Sequence, residues 1–445
     1  MQNKFNKITW AVAIAAAAFA SQANAGGYQV NEQSVSGQGY GHAGRSSNVN
    51  DATIVFGNPA GMSFLDRAQL TAGGTYLNVN SEIRNAEASR TNAGTLMAPQ
   101  QTTGSSEGDM VPGTLIPFAF YAQPVNERLA FGFGVYAPFG SQTDYEDGFV
   151  GRNLGNYTEL KVMSAQPTVS YRFNDQWSIG AGITYNRVEG ELQRQVPQPG
   201  AGMADPDQDL DSRVEGDDDA WGYNLGVIYQ PVPETTLGLT YRSKVDYDLT
   251  GSYRATNPDG SVATNPLTGA ALEDNARLNL VTPETINFSV TQQMSDRLKL
   301  MAGASWVRWD RFEEIHVTND AGDTITRETQ DYSNAWAYGV GGEYQLNPQL
   351  VLRAGVTLDF TPTSDEFRSA RIPSDDRRIF SIGAGWTPTE NLTLDFAYSY
   401  LTERSTQVDQ TRIDHEGTGA ETELAYSADY KNEAHGFGAQ LTYRF

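Results

Sequence analysis

The sequence predicts an all-β fold, a fourteen-stranded antiparallel transmembrane β-barrel with an N-terminal hatch, or plug, in its lumen. Three observations predict it. Many segments alternate strictly between a wholly apolar face and a small, polar one. After residue 25 no apolar run is long enough for a transmembrane helix, so a membrane-spanning chain must close its strands into a barrel. Tight polar turns alternate with longer polar stretches along the whole chain, the pattern of barrels with short turns at one rim and long loops at the other.

The elements follow in order. Lys4 and Lys7 precede the apolar stretch Ile8–Ala20, and Ala23-Asn24-Ala25 is a small-residue cleavage site. Residues 1–25 therefore read as a secretory signal peptide, with the mature chain starting at Gly26. Residues 26–65 do not alternate and carry Gly37, Gly39, Gly41, Gly44, Gly57 and Gly61. Ile54, Val55, Phe56, Met62, Phe64 and Leu65 give this segment an apolar content that a loose tail does not need, so it reads as the hatch. Fourteen strands make a barrel too wide for wall side chains to fill, which leaves room for it.

Residues 66–445 read as the barrel. Leu129, Phe131, Phe133 and Val135 oppose Ala130, Gly132, Gly134 and Tyr136. The same alternation runs through Met163–Phe173, Val351–Phe360 and Asn391–Leu401, as strands half in an apolar medium require. Six tight turns lie at Pro124–Arg128, Asn174–Gln176, Pro231–Thr235, Ser295–Arg297, Asn347–Gln349 and Pro388–Asn391. Seven longer polar stretches separate them, at 80–113, 140–156, 194–219, 254–274, 312–330, 362–376 and 402–424. Thirteen connections imply fourteen strands, an even number as bacterial barrels have. The chain ends Leu441-Thr442-Tyr443-Arg444-Phe445, and the terminal Phe445 resembles the signal that hands such barrels to their assembly machinery.

Composition narrows the function. The chain has no Cys, which excludes disulfides and thiolate chemistry. With 54 Asp+Glu against 31 Lys+Arg it would repel a nucleic acid. His42, His316, His415 and His435 are scattered, and nothing resembles a nucleophile elbow, so no catalytic residue, metal ligand or cofactor is expected. Asp205, Asp207, Asp209 and Asp211 open an acidic stretch, but Leu210 and Gly216 stand where a calcium loop needs Gly and Glu, so a solvated loop is expected.

Several motifs resemble one family. Gly26-Gly27-Tyr28-Gln29-Val30-Asn31-Glu32-Gln33-Ser34, the Gly-x-Gly after it and Gly57-Asn58-Pro59-Ala60-Gly61-Met62 are similar to the mature start and Asn-Pro-Ala hatch motif of the FadL/TodX outer-membrane transporters. Tyr136-Ala137-Pro138-Phe139-Gly140, Leu239-Thr240-Tyr241-Arg242-Ser243 and Ile372-Pro373-Ser374-Asp375-Asp376-Arg377 match in the expected order. The resemblance implies a monomeric barrel in the Gram-negative outer membrane. It implies passive transport of long-chain fatty acids or similar hydrophobic compounds, which leave sideways into outer-membrane lipid through a kinked third strand. Gly132, Gly134 and Pro138 are the expected kink residues, and Asn58, Pro59 and Ala60 the hatch motif.

A fatty-acid carboxylate beside apolar surface needs a cation. By strand parity Arg242, Lys244 and Arg353 face the lumen, with Arg187 and Arg377 as neighbours. The rival reading is that these cations pair with Asp359, Asp395 or hatch carboxylates. In fatty-acid members a strand in the position of Asp331–Tyr344 can supply a Lys; here the matching stretch Tyr332-Ser333-Asn334-Ala335-Trp336 carries no cation, so neutral aromatic or alkane hydrocarbons stay open as ligands. A general porin and a structural or adhesion barrel are the further alternatives.

Overall fold

A computed structural model describes residues 27–92, 98–146, 148–197, 209–265, 268–414 and 421–445, so the signal peptide lies outside the described residues. The strand segments are β1 (Gln69–Asn92), β2 (Gln100–Gln101), β3 (Thr114–Pro124), β4 (Leu129–Asp144), β5 (Tyr157–Arg172), β6 (Trp177–Val196) and β7 (Leu210–Val232). They continue as β8 (Thr235–Arg242), β9 (Val245–Thr256), β10 (Glu273–Thr282), β11 (Thr285–Gln293), β12 (Leu298–Val307), β13 (Glu314–Thr318) and β14 (Thr324–Thr329). The last are β15 (Ala335–Asn347), β16 (Leu350–Asp359), β17 (Arg377–Thr389), β18 (Leu392–Glu403), β19 (Thr406–Asp414) and β20 (Thr422–Arg444).

They form one closed antiparallel sheet of fourteen barrel strands, because β8–β9 and β10–β11 are each one barrel strand with a short break, and β2, β13, β14 and β19 are extensions above the wall. Pairing of β1 with β20, from Gln69↔Arg444 to Asn92↔Thr422, closes the barrel. No described helix is long and apolar enough to cross a membrane. Phe131, Ile183, Val340, Ile382 and Phe396 are exposed on the outer face, where lipid covers them, while Ser164, Gln166, Thr168 and Ser170 are buried inside.

All six expected turns join barrel strands, but the expected loops are shorter than the sequence suggests. Asp211–Asp219, read as loop, is strand in β7, paired with β6 and in part with β9. Above the membrane both faces of a strand are wet, so the apolar alternation disappears while the hydrogen-bond ladder continues. Buried ion pairs then tie this rim together: Arg194 to Asp414 at 2.7 Å, Arg371 to Glu328 at 3.1 Å, and Arg90 to Asp209.

The hatch fills the lumen. Its helices are α1 (Val35–Gly39), capped by the Ser34 hydroxyl, and α2 (Ile54–Gly57), followed by a 3₁₀ turn over Pro59–Phe64. Val35, Ile54, Val55, Phe56 and Met62 pack on Phe118, Phe120 and Tyr136 of the wall. Inward glycines make this contact possible. A Cβ on Gly303 would strike the Ala43 carbonyl, and one on Gly341 or Gly355 would strike Tyr40. Wall and hatch backbones thus touch, as only Gly allows.

The third barrel strand leaves the regular sheet. β4 pairs with β3 only from Pro124↔Ala130 to Phe118↔Tyr136. Between Tyr136 and Phe139 its pairing with β5 slips by one residue, a bulge at Ala137-Pro138. Beyond it β4 turns in to the hatch: Val30 N–H donates to the Pro138 carbonyl at 2.9 Å, and Gly140 N–H to the Tyr28 carbonyl at 2.8 Å. Leu115–Pro117 of β3 keep their ladder partners on β1 and, among the described residues, pair with none on β4, so a seam opens in the wall.

Candidate functional site

The bulge corrects the expected source of the kink. Gly132 and Gly134 stay in register with Ala122 and Phe120 of β3, so they do not weaken the ladder. Gly132 makes room for Val55 and Met62 of the hatch, and Gly134 for Phe120. Pro138 alone of the three sits in the bulge, where its missing N–H costs no ladder bond.

The Asn-Pro-Ala motif docks the hatch. Asn58 is wholly buried; its Oδ1 accepts from Ala60 N–H at 3.0 Å, capping the 3₁₀ turn with Pro59 at its first position. Its amide donates to the Ser46 carbonyl at 2.8 Å and to the Val227 carbonyl on β7 at 3.0 Å. The Ala60 carbonyl accepts from Ser170 at 3.1 Å and Ser178 at 2.8 Å.

Among the described residues, three cavities that share lining residues lie inside the barrel. The outermost, about 690 Å³ of empty space partly open to solvent, is lined by apolar groups including Leu160, Leu249, Leu280, Phe312 and Ile372. Its floor is aromatic: Tyr28 of the hatch stands edge-on to Trp309 at 4.6 Å and to Phe312 at 5.2 Å. Ile372 also lines a second cavity of about 730 Å³, behind the seam, with Met110, Val111, Leu401, Arg377 and Glu403. Glu32, Ile379 and Ser399 are shared by the second cavity and a third, more polar one between hatch and wall, which adds His42, Arg45 and Asp359. The Trp309–Phe312–Tyr332 cluster was missed in the sequence because it folds inward from a polar stretch.

The five expected cations separate. Arg353 is buried and donates to Glu343 at 2.8 Å and Asp395 at 2.6 Å, so the rival ion-pair reading describes it. Arg377 is buried and bonded to Glu403, with Nη1 meeting no partner among the described residues. Among the described residues Arg242 has no carboxylate partner; it donates to the Tyr136 hydroxyl at 2.6 Å and the Phe56 carbonyl at 3.2 Å, and lies 4.4 Å from the Phe56 ring centre.

Two cations correct the parity argument. Lys244 falls in the break between β8 and β9, where the inward row changes from even to odd numbers, and it pairs with exposed Asp246 at 2.8 Å outside the lumen. Arg187 lies between buried Asn186 and Val188 and therefore points outward, meeting Glu189 at 3.1 Å and Asp217 at 3.0 Å.

Glu32 and Arg45, hatch groups that sequence reasoning did not single out, face the third cavity together with His42. Burial raises the Glu32 carboxyl above its ordinary range, and burial lowers Arg45 to about 10, with Glu32 and Asp359 opposing that fall. His42 has a left-handed backbone (φ 55°), and burial with Arg45 nearby holds its imidazole well below the usual pKa. Of the acidic stretch, Asp209 takes Arg90, while Asp205 and Asp207 lie outside the described residues, as does His415. Phe445 is exposed at the turn rim, donating its N–H to Ala68 at 2.9 Å and stacking edge-on with Tyr443 at 5.0 Å.

Residues 16–445 match the family model described as "Outer membrane protein transport protein (OMPP1/FadL/TodX)". The chain is 29% identical to Outer membrane protein P1 of Haemophilus influenzae, over 99% of this chain and 100% of that one. It is 25% identical to the long-chain fatty acid transport protein of Escherichia coli (strain K12), over 92% of this chain and 95% of that one. Among solved structures, a Pseudomonas aeruginosa FadL homologue superposes with a TM-score of 0.84 at 26% identity, covering 94% of this chain and 99% of that one. The toluene transporter TodX of P. putida shares the fold, with a TM-score of 0.62 at 18% identity, covering 92% and 99%. The chain belongs to the OMPP1/FadL/TodX family of outer-membrane transport proteins, which are channels and not enzymes.

Proposed function

We propose that the protein carries long-chain fatty acids or similar hydrophobic compounds across the outer membrane without an energy source. The solute enters the apolar outer cavity, passes Ile372 into the second cavity and leaves through the seam between β3 and β4. The observation that carries this reading is the seam itself: a bulged strand held open by the hatch, beside a cavity lined by Met110 and Val111. An apolar chain moving this way exchanges one apolar surface for another and avoids an aqueous passage through the plugged lumen. Four of the five cations named above are already neutralised, which leaves neutral hydrocarbons as the second reading of the ligand.

Uptake of a radiolabelled fatty acid and of toluene by cells producing the protein as sole transporter tests the reading. Uptake of either solute, with single-channel conductance near zero in planar bilayers, supports it. Open-pore conductance with no uptake makes the protein a porin. For the assembly signal, deleting Phe445 is expected to reduce the amount of heat-modifiable barrel in the outer membrane.

A further inference from the structure

The ladder between β3 and β4 stops beside a proline. Its last pair is Phe118↔Tyr136, so the next would set Pro117 against Ala137. Backbone groups along a strand point alternately to its two neighbours. A Cβ on Gly74, the β1 partner of Pro117, would lie 2.8 Å from the Ile116 carbonyl, so that carbonyl points to β1. A Cβ on Gly132 of β4 would lie 3.2 Å from the Tyr121 carbonyl, which points to β4. Even-numbered residues of β3 therefore turn their backbone groups to β1 and odd-numbered ones to β4. Pro117 is among the latter and has no N–H to offer there. A continued ladder would leave the Ala137 carbonyl without a donor.

The hatch supplies that donor. Gln33 is buried, and its Nε2 donates to the Ala137 carbonyl at 2.5 Å. Gln29 forms an isolated antiparallel bridge with Phe139. The bonds of Val30 to Pro138 and of Gly140 to Tyr28 flank that bridge. The first residues of the hatch thus stand where β3 would otherwise run. Gln33 Oε1 meets no partner among the described residues, so the donor end alone fixes this side chain. An unmet buried acceptor is unfavourable, and its presence marks the bond to Ala137 as the reason the amide is there.

We infer that Pro117 and Gln33 are the positioning residues of the exit seam: the proline denies β4 a donor on β3, and the glutamine offers the same donor from the hatch. This rests on the lateral-release reading above. The upper half of β4 has two candidate partners for one row of backbone groups, β3 and the hatch. With Pro117 on one side and Gln33 on the other, β4 stays with the docked hatch and the seam stays open. Neither side chain needs to touch the transported molecule.

The test compares the wild type, Pro117→Ala, and Pro117→Ala combined with Gln33→Leu, each as the full mature barrel. The first change gives β3 the missing N–H. The second keeps the bulk of the hatch side chain and removes the competing donor. One hydrogen bond shifts such a balance by about two- to tenfold. Uptake of hexadecanoic acid should fall by about that factor in the single variant and further in the double one, at normal surface level. Equilibrium binding of the acid to the barrel in detergent should not change, because the exit and not the pocket is altered. Hydrogen exchange of the amide created at position 117 is the second readout, and its protection should rise from the single to the double variant. The single variant decides the matter alone if the double one does not assemble. Wild-type uptake with a freely exchanging amide at position 117 would overturn the inference, and the proline would then only blunt a strand edge. Loss of uptake with that amide still unprotected would overturn it too, and would assign the loss to the hatch. A wild type that neither binds nor takes up the acid would remove the transport reading instead, and the exchange at position 117 would still decide the pair.

Discussion

Arg242 donates to the hydroxyl of Tyr136 at 2.6 Å, and Tyr136 is the last regular residue before the bulge. One guanidinium thereby joins β8, the bulged strand and, through the Phe56 carbonyl and ring, the hatch. Arg242→Met keeps the apolar stem and removes all three ties. Hydrogen bonds from a charged group contribute about 1.5–3 kcal/mol, so the hatch–wall joint should loosen measurably. The expected result is lower uptake at normal surface level, with faster hydrogen exchange at Phe56 and Tyr136. Unchanged exchange would mean that apolar packing alone holds the joint.

Arg353 sits between Glu343 and Asp395, and Lys299 reaches Glu343 at 3.1 Å. Arg353→Met leaves two buried carboxylates with one cation and should destabilise the barrel by about 3–5 kcal/mol. Adding Glu343→Gln and Asp395→Asn to that variant should restore most of the loss. Unfolding of all three proteins in guanidinium checks both parts, and equal midpoints for the single and triple variants would contradict them.

Asn58→Ala removes a cap and two bonds to carbonyls, one on the hatch and one on the wall. The cap alone is worth about 0.5–2 kcal/mol. The hatch should undock while the barrel still assembles, so uptake should fall and single-channel conductance should rise. A variant with wild-type uptake and conductance would make the motif merely structural.

The strands were legible in the sequence wherever lipid bathes one face. Leu392, Leu394, Phe396 and Tyr398 alternate with Thr393, Asp395 and Ala397 because the two sides meet different solvents. Asp211–Asp219 meets water on both sides and reads as loop although it is strand. Parity placed Arg353 correctly because β16 is unbroken, and misplaced Lys244 because the break at Ser243 is invisible to composition. The partners of the cations were beyond reach for another reason. Glu403 meets Arg377 only because β17 and β18 pair in one particular register, and Arg45 approaches Asp359 only through the docking of the hatch.

His42 gives a pH dependence of known sign. Its imidazole is held well below its ordinary pKa in the folded hatch, so the unfolded chain binds a proton that the folded one refuses. Its share of hatch stability is complete above about pH 6.5 and is lost as pH falls below that value, by up to about 1.4 kcal/mol per pH unit. His42→Asn tolerates the same left-handed backbone and removes the titration. Hydrogen-exchange protection factors in the hatch, which divide out the intrinsic pH dependence of exchange, should differ between pH 7.5 and pH 5.5, each about a unit from that midpoint, in the wild type and agree in the variant. An equal pH response in both proteins would assign the effect to other groups.

The most direct test of lateral release is deletion of Pro138. The bulge is one extra residue between Tyr136 and Phe139, so the deletion lets β4 run in regular register with β5 and gives its upper half a path back to β3. The Val30–Pro138 bond that draws β4 inward disappears with it. The account predicts a folded, heat-modifiable barrel at normal surface level whose uptake of long-chain fatty acid falls to the background of cells without the protein. Wild-type uptake through that closed seam would contradict the account.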